Sequence, residues 1–158
     1  MAAVAIALTP QALLAKLLRT PVTRSELPFG FSAPRVARQP LQANGIKYHA
    51  VGQVAVALGG PDREDAFAYE VFKTRRAALA DLHHPVLTAG VRIVGSVPGV
   101  KNGVLLRSEG AGGVIADAVT VVDNVLVQAV TSSRRGNPAA AIALLKAAIA
   151  HLQRVERG

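Results

Sequence analysis

The sequence predicts an α+β fold, in which a twisted, mainly antiparallel β-sheet is covered on one face by helices at both termini and by one short helix. Three observations support this prediction. The N-terminal segment carries leucines at helical spacing, residues 114–131 form two β-rich halves separated by a turn pair, and an alanine-rich helical pattern follows residue 137. Because no internal repeat and no linker interrupts the chain, we interpret residues 1–158 as a single domain.

The first predicted helix begins at Thr9-Pro10, an N-cap followed by a proline at the first helical position, and ends at Thr20-Pro21. Residues 21–45 are rich in proline, glycine and serine, and we expect an ordered irregular segment that ends in a short strand. The apolar residues expected to fix the helix and this segment to the core are Leu13, Leu14, Leu17, Leu18, Leu27, Phe29 and Phe31.

The central part of the chain alternates between strand and helix patterns. Residues 46–58 predict one long strand with a kink at Gly52, and residues 59–65 predict a hydrophilic loop. Residues 66–72 predict a second strand. Residues 74–83 change to a helical period, and Pro85 closes that short helix. Its inward side chains are expected to be Ala78, Leu79 and Leu82.

The last third of the chain has clear turn and capping signals. We expect strands at 91–94 and 104–107, a turn at 97–100 and a glycine-rich turn at 108–113. Asp123-Asn124 suits a tight hairpin, because both residue types tolerate positive φ. The terminal helix begins at the pair Asn137-Pro138, and its predicted inward stripe is Ile142, Leu145, Ile149 and Leu152.

Composition restricts the function classes. Apolar residues make up 51% of the chain, and with four Phe, two Tyr and no Trp the core must consist mainly of small aliphatic side chains. The absence of cysteine excludes disulfides, thiolate nucleophiles and cysteine-ligated metal sites. The net charge of +8 favours polyanionic neighbours. However, the cations are scattered and their doublets, Arg75-Arg76 and Arg134-Arg135, carry no interleaved aromatics, so we do not expect nucleic-acid binding.

The N-terminus bears on location. No apolar run reaches the ~20 residues of a membrane span. Residues 2–8 are apolar but lack the basic flank of a signal peptide. We interpret residues 1–8 as a flexible end or as the trimmed stub of an export signal or anchor, and we favour a cell-envelope location over a cytoplasmic one.

The densest titratable cluster is His83-His84 with Asp81. Two histidines at a helix end could supply a general base, but they also fit a capped C-terminus where imidazolium meets the helix dipole, and we favour capping. His49 is interpreted as a solvent-facing strand residue and His151 as a dipole-stabilised helix end. Two further patterns are weaker still. Asp62, Glu64 and Asp65 are interpreted as a solvated turn and Gly110 to Gly113 as a hairpin loop, because the calcium-loop and phosphate-loop patterns are incomplete.

The layout resembles small exported α+β domains of actinobacteria, of the lipoprotein and kinase-sensor type with a PsbP/Mog1-like sandwich. The resemblance rests on the leucine helix that leads into residues 27–31, the strand Tyr69-Glu70-Val71-Phe72, the segment 124–128 and the terminal helix. It covers most of the chain. It implies a binding or sensor domain that faces the cell envelope and has no catalytic activity.

Residues 67–85 also resemble dimeric αβ-barrel monooxygenases, in which a similar strand precedes a helix ending in histidine. That resemblance implies a small enzyme acting on an apolar substrate. Its catalytic candidates are His83, His84, His49 and Tyr69.

We therefore predict a non-catalytic domain, without cofactor or metal, that binds a small apolar ligand, an envelope component or a protein partner. The alternatives are the barrel-type enzyme and a structural interaction module whose alanine-rich helix surfaces form a homodimer. Functional residues are expected within residues 21–45, within the loop 59–65 or around His83, where the pattern is least regular.

Overall fold

The computed structural model describes residues 7–39, 50–60, 64–83, 91–110 and 112–158, and these residues form an antiparallel sheet with a hydrophobic core on each face. The strand order is β1-β2-β3-β7-β6-β5-β4. The helices are α1 (Pro10–Arg19), α2 (Arg75–His83) and α3 (Pro138–Arg157), and the strands are β1 (Ser32–Gln39), β2 (Ala50–Gly59), β3 (Glu64–Phe72), β4 (Val91–Ser96), β5 (Val104–Gly110), β6 (Gly113–Val122) and β7 (Val125–Ser133).

The helix starts follow the predicted capping signals. The side-chain oxygen of Thr9 accepts a hydrogen bond from the backbone N–H of Ala12 at 3.1 Å, and Asn137 caps α3 in the same way through Ala140. Each cap satisfies one of the N–H groups that the first helical turn leaves without a partner. The predicted starts of the first and last helices are confirmed.

The predicted β6–β7 hairpin is also confirmed. Asp123 has a φ of 51°, and the side chain of Asn124 donates a hydrogen bond to the carbonyl of Phe72 at 2.7 Å. The backbone N–H of Phe72 in turn donates to the carbonyl of Asn124. The turn is therefore fixed to the end of β3.

We call the side of the sheet that carries α1 and α3 the covered face. Side chains of β3 and β7 alternate into it, because successive residues of a strand point to opposite faces. Its fully buried core is made from small aliphatic residues and two aromatics, as the composition predicts. It includes Leu13, Leu14, Leu17, Val54, Val56, Phe67, Tyr69, Val71, Val125, Val127, Ala129, Leu144, Leu145, Ala148 and Leu152.

The helix α2 packs on the opposite side, against Phe72, Leu106 and Leu126. The prediction that all helices cover one face is therefore wrong. The physical reason is the residue at which β3 ends, because successive strand residues point to opposite faces. Phe72 follows Val71, whose side chain belongs to the covered face, so Phe72 points to the other face, and the chain turns into α2 on that side.

Two irregular segments differ from expectation in part. The segment 21–45 contains a strand as expected, β1, which pairs with β2 at the edge of the sheet, and Phe31 is buried, but Phe29, which was expected to pack on the core, is fully exposed. The acidic loop expected at 59–65 is partly strand, because β3 begins at Glu64 and the side chain of Asp65 is buried. The predicted strand residues 46–49 and the loop residue Asp62 lie outside the described residues.

Candidate functional site

Tyr69, a candidate of the enzyme alternative, is completely buried on the covered face. Its hydroxyl donates a hydrogen bond to the backbone carbonyl of Ala148 at 2.6 Å, and its ring meets Phe67 edge to face at 5.7 Å. Burial raises the pKa of Tyr69, and the negative charge of Glu26 raises it further. Tyr69 and the helix that ends at His83 lie on opposite faces of the sheet, so the structure does not bring them together.

The side chains of the other three candidates of the enzyme alternative are not among the described ones. His49 and His84 lie outside the described residues, and of His83 the backbone alone is described, as the last residue of α2. Tyr69 is thus the one candidate whose side chain can be placed.

His151, interpreted from the sequence as a dipole-stabilised helix end, is buried in α3 and has a side-chain partner. Its Nδ1 lies 3.0 Å from Oε1 of Glu26, and Arg154 donates to both carboxylate oxygens of Glu26 at 2.7 and 3.1 Å. Burial alone would raise the pKa of Glu26. Hydrogen bonds from Arg154, Thr23 and His151 outweigh this effect and lower the pKa to about 2. The cluster joins the segment after α1 to the last helix.

We call the half-buried part of the second face, beside α2, the open face. It runs across β2, β3, β7 and β6, and small residues occupy neighbouring positions on adjacent strands, as in the pairs Ala55–Ala68 and Ala57–Ala66. Polar side chains lie among them. The open face includes Gln53, Ala55, Ala66, Ala68, Glu70, Ile115, Asp117, Gln128 and Val130.

Glu70 lies on the open face, where it is the cross-strand neighbour of Gln53. Burial raises the pKa of Glu70 to about 7, and the nearby charge of Asp81 on α2 contributes to the rise. Its Oε2 is shielded from solvent and accepts no hydrogen bond from the described residues. At neutral pH this carboxyl group can therefore either donate or accept a hydrogen bond.

Asp117 occupies a similar position on β6. Burial raises its pKa to about 6, although the side chain of Gln128 donates a hydrogen bond that acts in the opposite direction. Its Oδ1 is also shielded and has no partner among the described residues. Two half-buried carboxyl groups with incomplete hydrogen bonding thus lie on one face, one on each strand beside β7.

These two carboxyl groups were not among the residues expected to be functional. Both belong to strands that look like scaffold, and residues 114–131 carry no catalytic or binding motif. A weak signal was nevertheless present. Glu70 interrupts the apolar run Tyr69-Glu70-Val71-Phe72, and Asp117 lies between two alanines of an otherwise apolar strand. A charged residue in such a strand indicates a polar site whenever its outward face is not fully solvated.

Within the described ranges, no group of three or more His, Asp or Glu side chains is arranged to hold a metal ion. No helix found there combines the length and the apolar character needed to cross a membrane.

No protein-family model and no curated protein matches the sequence. Among solved structures, the fold is similar to the crystal structure of the extracellular domain of PknH from Mycobacterium tuberculosis, with a TM-score of 0.55 and 15% sequence identity. The similarity covers 98% of this chain and 100% of that chain. The two proteins share a fold. The α+β prediction is confirmed, and the structural neighbour is an extracellular domain from an actinobacterium, as the resemblance to exported domains implies at that coarse level.

Proposed function

We propose that this protein is a non-catalytic binding domain of the sensor type, which works outside the cytoplasm and binds a small, mostly apolar ligand on the open face. The observation that carries the proposal is the state of Glu70 and Asp117. Both are half-buried on the same face of the sheet, and each keeps an oxygen that accepts no hydrogen bond from the described residues. Both oxygens are shielded from solvent, so a ligand completes their hydrogen bonds only by displacing the side chains that cover them.

The chemistry of the open face favours a particular ligand class. Its floor consists of alanines with Val130 and Ile115, and α2 lies beside it. Small side chains leave room above the sheet, and their methyl groups favour apolar contacts. A carboxyl oxygen of Glu70 or of Asp117 would accept a hydrogen bond from a hydroxyl or amine group, and the register places the two groups too far apart for one donor, opposite Leu126 and Val130 of β7. The proposed ligand is therefore an apolar molecule with such a donor.

The proposal assigns a structural role to Tyr69 instead of a catalytic one. Its hydroxyl is used in a buried hydrogen bond to Ala148, on the face opposite the proposed site. A catalytic tyrosine must reach its substrate, and this one is fully enclosed by the core. Its position supports a binding protein over the barrel-type enzyme.

Nile red, a neutral apolar dye, provides the test for the binding site. We expect saturable fluorescence enhancement with the wild-type protein and its loss in Ala68→Tyr, because the larger ring fills the space beside Glu70. Ala150→Tyr is the matched control, since Ala150 is exposed on α3 on the other side of the sheet. Dye binding that is absent, or that persists unchanged in Ala68→Tyr, would contradict the proposal.

Location and assembly need separate measurements. The extracellular nature of the structural neighbour supports an extracytoplasmic location, and fractionation of the source organism with detection of the endogenous protein tests it. Sedimentation velocity addresses the interaction-module alternative. A stable dimer that dissociates in Ala150→Tyr while dye binding is absent would favour that alternative over ligand binding.

A further inference from the structure

A second cleft lies away from the open face, at the end of the sheet where the β6–β7 hairpin turns. Its volume is about 400 Å³, and it is bounded by the start of α2, the loop between β4 and β5, the end of β6 and the middle of α3. We call it the basic cleft. Its lining residues include three cations, Arg75, Lys101 and Lys146, and four aliphatic side chains, Val100, Val121, Val122 and Ile149.

The charge of this cleft is not neutralised internally. Arg75, Lys101 and Lys146 come from three separate elements, and the one carboxylate in the lining, Asp123, leaves a net charge of +2. Ion pairs within 4.0 Å in the described part of the chain involve other cations, namely Arg107, His151 and Arg154. Three like charges around one cleft repel one another, and a bound anion would relieve that repulsion.

The backbone holds two of these cations near each other. The buried hydroxyl of Thr120 donates a hydrogen bond to the carbonyl of Lys101 at 2.7 Å, which fixes the loop against β6. In the same loop Gly99 has a φ of 76°, and a Cβ built on it would lie 3.8 Å from Nζ of Lys146. The ammonium group of α3 therefore lies against the loop that carries Lys101.

The N-terminus of α2 adds a positive electrostatic potential that favours an anion in the cleft. Arg75 is the first residue of this nine-residue helix, and it brings its guanidinium to the cleft beside the positive end of the helix dipole. Guanidinium binds phosphate oxygens in a bidentate geometry, whereas the two ammonium groups act as point charges. Together they suit a compact anion with more than one negative charge.

The aliphatic half of the lining indicates that the anion is part of a larger molecule. Val100, Val122 and Ile149 are partly buried against the covered core, and they give one wall of the cleft an apolar surface. A free inorganic ion would leave this surface exposed to water. An amphiphile would bury it, and each methylene removed from water stabilises the complex by about 0.8 kcal/mol.

We propose that the basic cleft binds the phosphate group of an amphiphile in which a phosphate monoester is joined to an apolar chain. A phosphate monoester carries a charge of about −1.5 to −2 near neutral pH, which matches the net charge of the cleft. The apolar chain lies on Val100, Val122 and Ile149. This site is separate from the open face and does not depend on the ligand proposed for that face.

Calorimetric titration of the full chain with three probes distinguishes a lipid headgroup from a free phosphate. The probes are dihexanoyl phosphatidic acid as a soluble monomer, glycerol 3-phosphate and inorganic phosphate. We expect phosphatidic acid to bind at least about tenfold more tightly than either chain-free probe, because only it reaches the aliphatic wall. We also expect its binding to weaken as salt increases. Equal affinity for all three probes, or no binding of phosphatidic acid, would overturn the proposal.

Charge variants locate the site. Lys101→Gln and Lys146→Gln should each weaken phosphatidic acid binding several-fold, and the double variant should weaken it by about tenfold or more. Arg135→Gln removes one exposed positive charge from the loop before α3 and should leave affinity within about twofold. Equal losses in the control and in the cleft variants would show non-specific attraction and overturn the assignment. Nile red binding should be unchanged in every one of these variants, so failure here is distinguishable from failure of the open-face proposal.

Discussion

The two faces of the sheet place half-buried glutamates in opposite electrostatic environments. On the covered face, Glu26 is surrounded by Arg154, His151 and Thr23, and its pKa is about 2. On the open face, burial and the charge of Asp81 raise the pKa of Glu70 to about 7, and its Oε2 has no partner among the described residues. A carboxylate that stabilises the fold is fully paired. A carboxyl group kept unpaired in a half-buried position destabilises the fold at high pH, which is the cost that the proposed binding role would explain.

Truncation of a side chain at the centre of each face should show the largest difference. Leu145→Ala on the covered face should reduce the free energy of unfolding by about 2–5 kcal/mol, because the side chain is completely buried and leaves a cavity. Val130→Ala on the open face should reduce it by less than about 1.5 kcal/mol, because Val130 is half-buried. Urea unfolding measures both values. Equal losses would show that the faces are packed alike.

Loss of the paired carboxylate should have the next largest effect. Glu26→Gln should lower the free energy of unfolding at pH 7 by about 3 kcal/mol, because the difference between a folded-state pKa near 2 and the ordinary 4.5 corresponds to that magnitude. The folded-state pKa is lowered, so this stabilisation is complete above about pH 4.5 and is lost as the pH falls towards 2. Urea unfolding as a function of pH measures it.

The control for this variant is Glu109→Gln, which removes an exposed carboxylate paired with Arg107. It should change the free energy of unfolding by less than about 0.5 kcal/mol. A Glu26→Gln protein as stable as this control at pH 7 would contradict the role assigned to Glu26.

Neutralising Glu70 should act in the opposite direction. Glu70→Gln should raise the free energy of unfolding by about 1–2 kcal/mol at pH 8–9, because the folded state penalises the charged carboxylate. The folded-state pKa is raised above 4.5, so wild-type stability is highest below that pH and declines as the pH rises through about 7. Wild type and variant should therefore be equally stable at pH 4. A variant that is destabilised at pH 8–9 would contradict the account.

Asp117→Asn should also raise the free energy of unfolding, but by a smaller amount than Glu70→Gln, about 1 kcal/mol at pH 8. Its pKa is raised to about 6, less far into the neutral range than that of Glu70, and the hydrogen bond from Gln128 already favours its charged form. Chemical unfolding at pH 4 and pH 8 gives the comparison. An effect at pH 8 larger than that of Glu70→Gln would reverse the assigned order of the two sites.

Local signals made much of the fold predictable. Thr9-Pro10, Asp123-Asn124 and Asn137-Pro138 each act within a few residues, and each forms the cap or turn that its chemistry favours. The alternation of Phe67, Tyr69 and Val71 likewise predicts their shared burial. Such features need no information about the rest of the chain.

Features that depend on distant parts of the chain were not predictable. The face chosen by α2 follows from where β3 ends, and the burial of His151 follows from Glu26, which lies 125 residues earlier. The raised pKa values of Glu70 and Asp117 depend on the partial cover of the second face by α2, which the order of elements does not reveal. The candidate site was missed because tertiary contacts, and no sequence motif, create it.

Carboxyl titration by carbon-detected NMR measures the pKa values of Glu26, Glu70 and Asp117 in one experiment on the unmodified protein, and so compares the two faces directly. We expect Glu70 to titrate at about 7, Asp117 at about 6 and Glu26 at about 2. Titration of Glu70 and Asp117 at or below the ordinary values of 4.5 and 3.8 would show that the open face solvates or pairs its carboxylates as well as the covered face does, and would contradict the claim.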